Sequence, residues 1–419
     1  MDFMKTRESI IMADNIKGQR LIDNIKGLGT KGIIDGKRSR LACSDQDKEG
    51  RDFVKGLMED AGLRVEIDKV GNIFGIWETE ENKNEAPVMM GSHIDSVANA
   101  GIYDGCTGVI SGLEVIQSLK ESGYKSKRPL VVGAFSNEEG SRYQPDMFGS
   151  IVYVGDLDVE EALNTEGIDG TIYGEELERI GYKGDKDPMF IKPAYYVEMH
   201  VEQGPVLDRE GYSVGGVEVV QGISWQEVTI EGEANHGGTT PTSYRKDAGL
   251  AAARIITFLR ERCEASPTTV AMSGCMKFEP NLVNVIPSKV VFTIDLRDPD
   301  NEILLREEAA LKEYFKEVEK IDGVKITSEQ LVRFDPVLFD DEVIELIEEK
   351  AKARGFSYRR IVSGAGHDAQ MLARVCKTAM IFVPSIGGIS HNPGEDTKDE
   401  DIINGANVLL DTIKELSQR

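Results

Sequence analysis

Three apolar runs in this chain close on the same kind of residue. Residues 86–95, APVMMGSHID, end on His93 and Asp95; residues 128–140, RPLVVGAFSNEEG, end on Glu138 and Glu139; residues 194–204, AYYVEMHVEQG, carry His200 and Gln203. Short continuous apolar runs bounded by turn residues are expected to be strands buried on both faces. Open α/β sheets bind their ligands at the carboxyl ends of such strands. The intervening GVISGLEVIQSLKESG, with apolar residues at helical spacing, supplies a crossover helix. The pattern predicts an α/β layer that brings imidazoles and carboxylates together at one sheet edge.

The same period governs both ends of the chain but not its middle. Ser44 and Asp47 form a capping box ahead of a helix whose Phe53, Leu57 and Ala61 recur on one face. After about residue 212, GYSVGGVEVVQGISWQEVTIEGEANHGG alternates like antiparallel strands. The helical YRKDAGLAAARIITFLRER and the strand KVVFTIDLRDPD follow. From about residue 330 the first pattern resumes, with helix DDEVIELIEEKAKARG, Gly-rich SGAGHDA, strand AMIFVP and loop SIGGISHNPGEDT. The expected organisation is therefore a discontinuous α/β domain with a mixed sheet, residues 1–212 and 330–419, interrupted by an inserted α+β domain, residues 213–329.

Charge narrows the partners. Acidic residues number 73 against 49 basic ones, a formal charge of -24, and no basic stripe stands out. That field disfavours nucleic acid and anionic membranes, so an anionic substrate needs a local positive centre. MDFMKTRESIIMADNIKG lacks an apolar core of signal-peptide length, and no other run approaches about 18 apolar residues; a soluble, cytoplasmic protein is expected. The five cysteines, Cys43, Cys106, Cys263, Cys275 and Cys376, are scattered without Cys-x-x-Cys spacing. They are expected to be reduced and mostly buried.

All five histidines fall in polar or Gly-rich segments: GSHID, VEMHVEQG, EANHGGTTP, GAGHDA and GISHNP. Imidazole with carboxylate at strand ends suits zinc, manganese or cobalt and makes a competent hydrolytic centre. Each residue also has a plainer reading. A lone histidine is often structural, adjacent acids such as Glu138 and Glu139 often mark a solvated turn, and Asp104 could cap the helix beginning near Gly108.

Taken in order, GSHIDS, YDG, FSNEEGSRY, HVEQGPVLD, HGGTTP, NLVNVIP, DLRDPD and GGISHNPGE resemble the motifs of the metal-dependent N-carbamoyl-L-amino acid hydrolases, β-ureidopropionases and allantoate amidohydrolases. These families belong to the aminoacylase and carboxypeptidase clan of two-metal amidohydrolases, and the resemblance runs from LACSDQD to the C-terminal helix. It implies that Asp104 bridges two divalent ions (Mn, Zn, Co or Ni), that His93 and His200 complete one ligand set, and that Glu139 and His391 complete the other. Asp95 would orient the His93 imidazole. Glu138 would be the general base, and His236 would help stabilise the oxyanion. Asn284 and Arg297, with Gln203 nearby, would hold the substrate carboxylate, although an arginine closing a strand is more often an ion-pair partner. The inserted domain would form a homodimer interface and donate His236, Asn284 and Arg297 across it. For His367 and Asp368, helix capping and local hydrogen bonding are the preferred reading.

The expected reaction is cleavage of an N-carbamoyl-L-amino acid to the amino acid, carbon dioxide and ammonia. Allantoate amidohydrolase activity is the alternative on the same motifs, since both substrates are small ureido carboxylates. An aminoacylase or dipeptidase fits HVEQG and FSNEEG less well. A non-enzymatic binding protein on this scaffold would be expected to lack a ligand or the base, and none is missing.

Overall fold

The computed structural model describes residues 15–419; apart from Asn15 to Gly18, the N-terminal stretch discussed above lies outside them. The described residues divide into two compact units, residues 15–218 with 339–419, and residues 219–338.

The first unit is built on a mixed sheet. At its centre, strands Lys377–Val383, Tyr195–Val201, Val88–His93 and Leu130–Phe135 lie side by side in that order, all parallel. Val214–Val220 joins one flank antiparallel, and Ile73–Trp77 and Arg64–Ile67 extend the other. Every residue of Val88–His93 and Leu130–Phe135 is buried, as expected for strands covered on both faces. Because the four central strands run in one direction, the residues that follow them emerge at a single edge. The crossover helix Cys106–Glu121 packs on the sheet beside helix Asp399–Leu416.

The Ser44 cap is present: its side chain accepts from the Asp47 N–H at 3.1 Å, opening helix Asp45–Asp60. The buried face differs by one position from the expected one. Gly50, Val54 and Met58 are fully buried, whereas Phe53 and Leu57 are only partly so. Buried Arg51, paired with Asp47 at 2.6 Å, rotates the helix toward its polar anchor.

The second unit is an antiparallel sheet, Val270–Met272, Lys289–Asp298, Gly222–Glu231 and Lys325–Phe334 in that order, with Met276–Glu279 also pairing Lys289–Asp298. Strict alternation buries Val290, Phe292, Ile294 and Leu296 against helices Ala248–Ala265 and Asn301–Asp322. Phe258 and Tyr314 stack with centroids 4.0 Å apart between those helices. The expected division after residue 212 is early: Val214–Val220 pairs with Lys377–Val383, and the boundary falls inside that strand. The expected return at residue 330 is also early, because Lys325–Phe334 runs on as a strand of the second sheet.

All five cysteines are free; Cys43 and Cys106 are buried, but Cys275 is exposed, contrary to expectation. Among the described residues no helix is long and apolar enough to cross a membrane.

Candidate metal and catalytic site

Each central strand hands one or two ionisable groups to the shared edge. His93 is the last residue of its strand, Glu138 and Glu139 follow Leu130–Phe135, His200 lies near the end of Tyr195–Val201, and His391 sits in the loop after Lys377–Val383. Asp104 comes from the loop before helix Cys106–Glu121. It does not cap that helix; Gly105 occupies the N-cap position and no side chain caps there. Gly105 is required at this point: its φ is +62°, and a Cβ would come within 2.4 Å of His93 Nε2. Asn137, Gln203 and His391 also have positive φ, so three of these loops hold a non-glycine residue in the left-handed region, a strain that clusters at functional sites.

Asp104 divides its two oxygens between two donor sets. Oδ1 lies 3.5 Å from His93 Nε2 and 3.2 Å from His200 Nε2. Oδ2 lies 3.3 Å from His391 Nε2, which is itself 3.3 Å from Glu139 Oε2. The His93 Nδ1 contacts the Asp95 carbonyl at 3.1 Å and the His200 Nδ1 contacts the Val201 carbonyl at 2.8 Å. A carbonyl only accepts, so each Nδ1 carries a proton; in the neutral ring each Nε2 is then an acceptor near Asp104, that of His200 also taking the Gly105 N–H at 3.1 Å. A lone pair facing a carboxylate oxygen is repulsive unless a cation or a proton stands between them. Charge-assisted hydrogen bonds close to about 2.7–2.9 Å; the longer spacings here match the edge of about 3.3 Å between tetrahedral ligands placed ~2.05 Å from zinc. The Glu139 Oε1 is buried and has no hydrogen-bond partner among the described residues. The donor set therefore fits two divalent cations sharing Asp104.

The electrostatics agree. Burial pushes the carboxyls of Asp95, Glu138, Glu198 and Asp368 up, and it lifts Glu139 and Glu395 to about 7. Burial opposes the charged forms of His93 and His200, but the carboxylates around them, Glu138 and Asp104 foremost, overcome it and raise both. The contact with Asp104 raises His391 to about 9. Burial would raise Asp104 too, yet the three imidazoles facing it hold it well below the usual carboxylate range. So many buried acids can all ionise only beside additional positive charge.

Asp95 does more than orient an imidazole. Its main-chain carbonyl holds His93, its carboxylate is 3.8 Å from that ring, and the same carboxylate accepts the N–H groups of Glu138 at 3.1 Å and Glu139 at 3.2 Å. Gln203 donates to Asp104 Oδ2 at 2.8 Å. Glu138 lies 3.4 Å from His93 Nε2 and, with Asp104, Glu139, His200, Gln203 and His391, lines a cavity of about 120 Å³.

The capping assignment for His367 is incomplete. It does precede helix Asp368–Leu372, and its N–H donates to Gln370 Oε1 at 3.0 Å. Its ring, however, is buried and lines the same cavity. Nε2 meets Ser363 Oγ at 2.9 Å; that hydroxyl is committed to the Ala365 carbonyl, so Nε2 carries the proton. Nδ1 is left as an unpartnered acceptor. Burial and the neighbouring His200 hold this imidazole neutral. The signal available in the sequence was its place among five histidines in polar segments.

His236, Asn284 and Arg297 belong to the second unit. His236 and Asn284 are exposed and adjacent, with the Gly237 N–H donating to the Asn284 carbonyl at 2.8 Å. The His236 Nδ1 accepts from Gly238 and Thr239, which leaves its proton on Nε2. Arg297 forks onto Asp295 at 2.9 and 2.8 Å and lies 5.9 Å from the Trp225 ring; it also borders a cavity of about 370 Å³.

Residues 89–415 match the model of peptidase family M20/M25/M40. The chain belongs to this family. It is 38% identical over 405 residues to an N-carbamoyl-L-amino-acid amidohydrolase of Rhizobium meliloti, covering 96% of this chain and 97% of that one. A ureidoglycolate hydrolase of Arabidopsis thaliana is 37% identical over 391 residues, 90% of this chain and 82% of the other. An allantoate amidohydrolase of Bacillus subtilis is 33% identical over 406 residues, covering 95% and 97%. The fold superposes on the crystal structure of a hydantoinase/carbamoylase family amidase from Burkholderia multivorans with a TM-score of 0.94 and 39% identity, over 97% of this chain and 99% of that one. The family member is accordingly a hydrolase of the amidohydrolase type.

Proposed function

We propose that the chain hydrolyses an N-carbamoyl-L-amino acid to the amino acid, carbon dioxide and ammonia. The observation that carries this reading is the division of the two Asp104 oxygens between the His93–His200 pair and the Glu139–His391 pair. Two divalent cations held there would polarise the ureido carbonyl and acidify water. Glu138, buried beside both sets and not needed as a ligand by either, accepts the proton of the attacking water. It returns that proton to the amino acid nitrogen as the C–N bond breaks, and the carbamate released decomposes to carbon dioxide and ammonia. A ureido carbonyl is a weak electrophile because both nitrogens donate into it, so oxyanion stabilisation is essential. His236 suits that role, because its Nδ1 accepts from backbone N–H groups and its Nε2 carries the proton.

Arg297 and Asn284, with Gln203, bind the α-carboxylate, and a homodimer supplies the residues of the second unit across its interface. The five free cysteines fit a reducing, cytoplasmic location. Relatives named for allantoate and ureidoglycolate favour a second reading, since those compounds also pair a ureido group with a carboxylate. The deciding experiment measures ammonia release from N-carbamoyl amino acids, allantoate and ureidoglycolate, and amino acid release from N-acetyl amino acids and dipeptides. Preference for N-carbamoyl amino acids is expected. Turnover of acyl or peptide substrates alone would refute a ureido-cleaving site.

A further inference from the structure

Residues 38–40 run as a splint along the loop that carries His93 at one end and Asp104 at the other. Arg38 accepts the Ala100 N–H at its carbonyl (2.9 Å) and donates through Nη1 to the carbonyls of Ala100 and Gly101 at 3.1 and 3.2 Å. Ser39 Oγ accepts the Asn99 N–H at 3.0 Å. Arg40 exchanges two hydrogen bonds with Ser96, each 3.0 Å. Its side chain, fully buried, then spans the loop: Nε donates to the Ile94 carbonyl at 2.8 Å, Nη2 to Cys106 Sγ at 3.0 Å, and Nη1 to the Lys31 carbonyl at 3.3 Å. Ile94 is the neighbour of His93, and Cys106 lies just beyond Asp104 and Gly105. None of the three acceptors is a carboxylate.

Burying a guanidinium on neutral acceptors costs stability that an apolar side chain would not, so placement is the more economical account of this arginine. The channel it threads is shaped for it. A Cβ on Gly32 would meet Arg40 Cγ at 2.5 Å, and one on Gly50 would meet its Cδ at 2.8 Å. The planar fork sets two donors at a fixed separation, which a lysine ammonium cannot do.

We propose that Arg40 is a positioning residue that fixes the separation of the His93 imidazole from the Asp104 carboxylate, and thereby the affinity of the cation site formed by His93, Asp104 and His200. This rests on the two-cation reading above. Glu139 and His391, which complete the other site, receive no hydrogen bond from residues 38–40.

The test is calorimetric titration of the metal-free protein with zinc, for the wild type, Arg40→Met and Arg40→Lys, with circular dichroism to confirm folding. The wild type is expected to take two cations. Both variants should bind one of them roughly 10–100-fold more weakly and the other within about threefold, and kcat should recover at excess zinc. Two wild-type affinities in folded Arg40→Met, even with a lowered Tm, would reduce Arg40 to a structural role and overturn the proposal. Wild-type affinities in Arg40→Lys would overturn the span in favour of charge alone. If Arg40→Met does not fold, Cys106→Ala removes one anchor only. It should show the same selective weakening, with Cys106→Ser, which restores an acceptor, recovering most of it; unchanged affinities in Cys106→Ala would overturn the proposal. A wild type that binds no zinc brings down the two-cation reading and this inference together.

Discussion

In the first unit, His93, Asp104, Glu138 and His200 are buried, lie at or just beyond the ends of three parallel strands and face one another within 3.2–3.5 Å. In the second, His236 and Asn284 are exposed loop residues, and Arg297 is occupied by its own neighbour Asp295. The contrast separates two jobs. Charge that must stay preorganised is fixed by rigid elements and low dielectric. Groups proposed here to meet a substrate remain accessible or keep a partner of their own.

The largest effect that would break this comparison is cation removal. Chelation should abolish ureido hydrolysis, and manganese, cobalt, nickel or zinc should restore it, with metal content measured alongside. Full activity in metal-free protein would mean that the buried cluster is only a structural network.

Next in size is the proton shuttle. Glu138→Gln should lower kcat by about 10²–10⁴ while both cations remain bound. Glu139→Gln should instead lose metal, because it removes a proposed ligand. Single-turnover rates and metal stoichiometry for the pair would expose any exchange of the two roles.

The same contrast explains what the sequence could disclose. His93, Glu138, Glu139 and His200 could be singled out because each lies at or just beyond the end of an apolar strand as a group that is costly to bury, so local pattern and chemistry point the same way. His367 was not, since GAGHDA reads as a helix start and only the fold brings its bare Nδ1 to the cavity. The division between the units was displaced because alternation looks alike in both sheets: Val214–Val220 and Gly222–Glu231 are separated by Gln221 alone, yet join different sheets. For Arg297 the plain ion-pair reading and the carboxylate-binding reading are both compatible with the fork on Asp295, and pairing partners across space cannot be read from spacing.

Arg297 gives the third test. Arg297→Ala should raise KM for a carboxylate-bearing ureido substrate roughly 10–100-fold, the value of a charge-assisted hydrogen bond, and leave Glu138-dependent chemistry intact. Mixing it with Glu138→Gln sharpens the test. If subunits exchange freely, about half of the dimers are mixed and each holds one good site, so at substrate concentrations well below the KM of the Arg297→Ala homodimer roughly a quarter of the wild-type rate should return. Exchange confirmed by mass without recovered activity would confine Arg297 to its own subunit.

The smallest effect lies in the pH dependence of stability. Glu139, ordinarily near 4.5, sits at about 7 because burial and Asp104 disfavour its charge. Between those values the folded protein keeps a proton that the unfolded chain releases, so stability falls as pH rises through this window. His391, ordinarily near 6.5, sits at about 9 beside Asp104. Its contribution is complete below 6.5 and is lost as pH climbs through 9. Both groups therefore make the metal-free protein melt lower as pH increases from about 5 to about 9. His391 is half exposed, so solvent weakens its share, and the fall should be on the order of a few °C. Cation binding needs the deprotonated ligands and strengthens over the same range. The gap in Tm between loaded and stripped protein should consequently widen with pH, measured calorimetrically with and without chelator. A gap that stays constant would show that the cation binds away from Glu139 and His391, and that the half-exposed end of the cluster is held together by its protons alone.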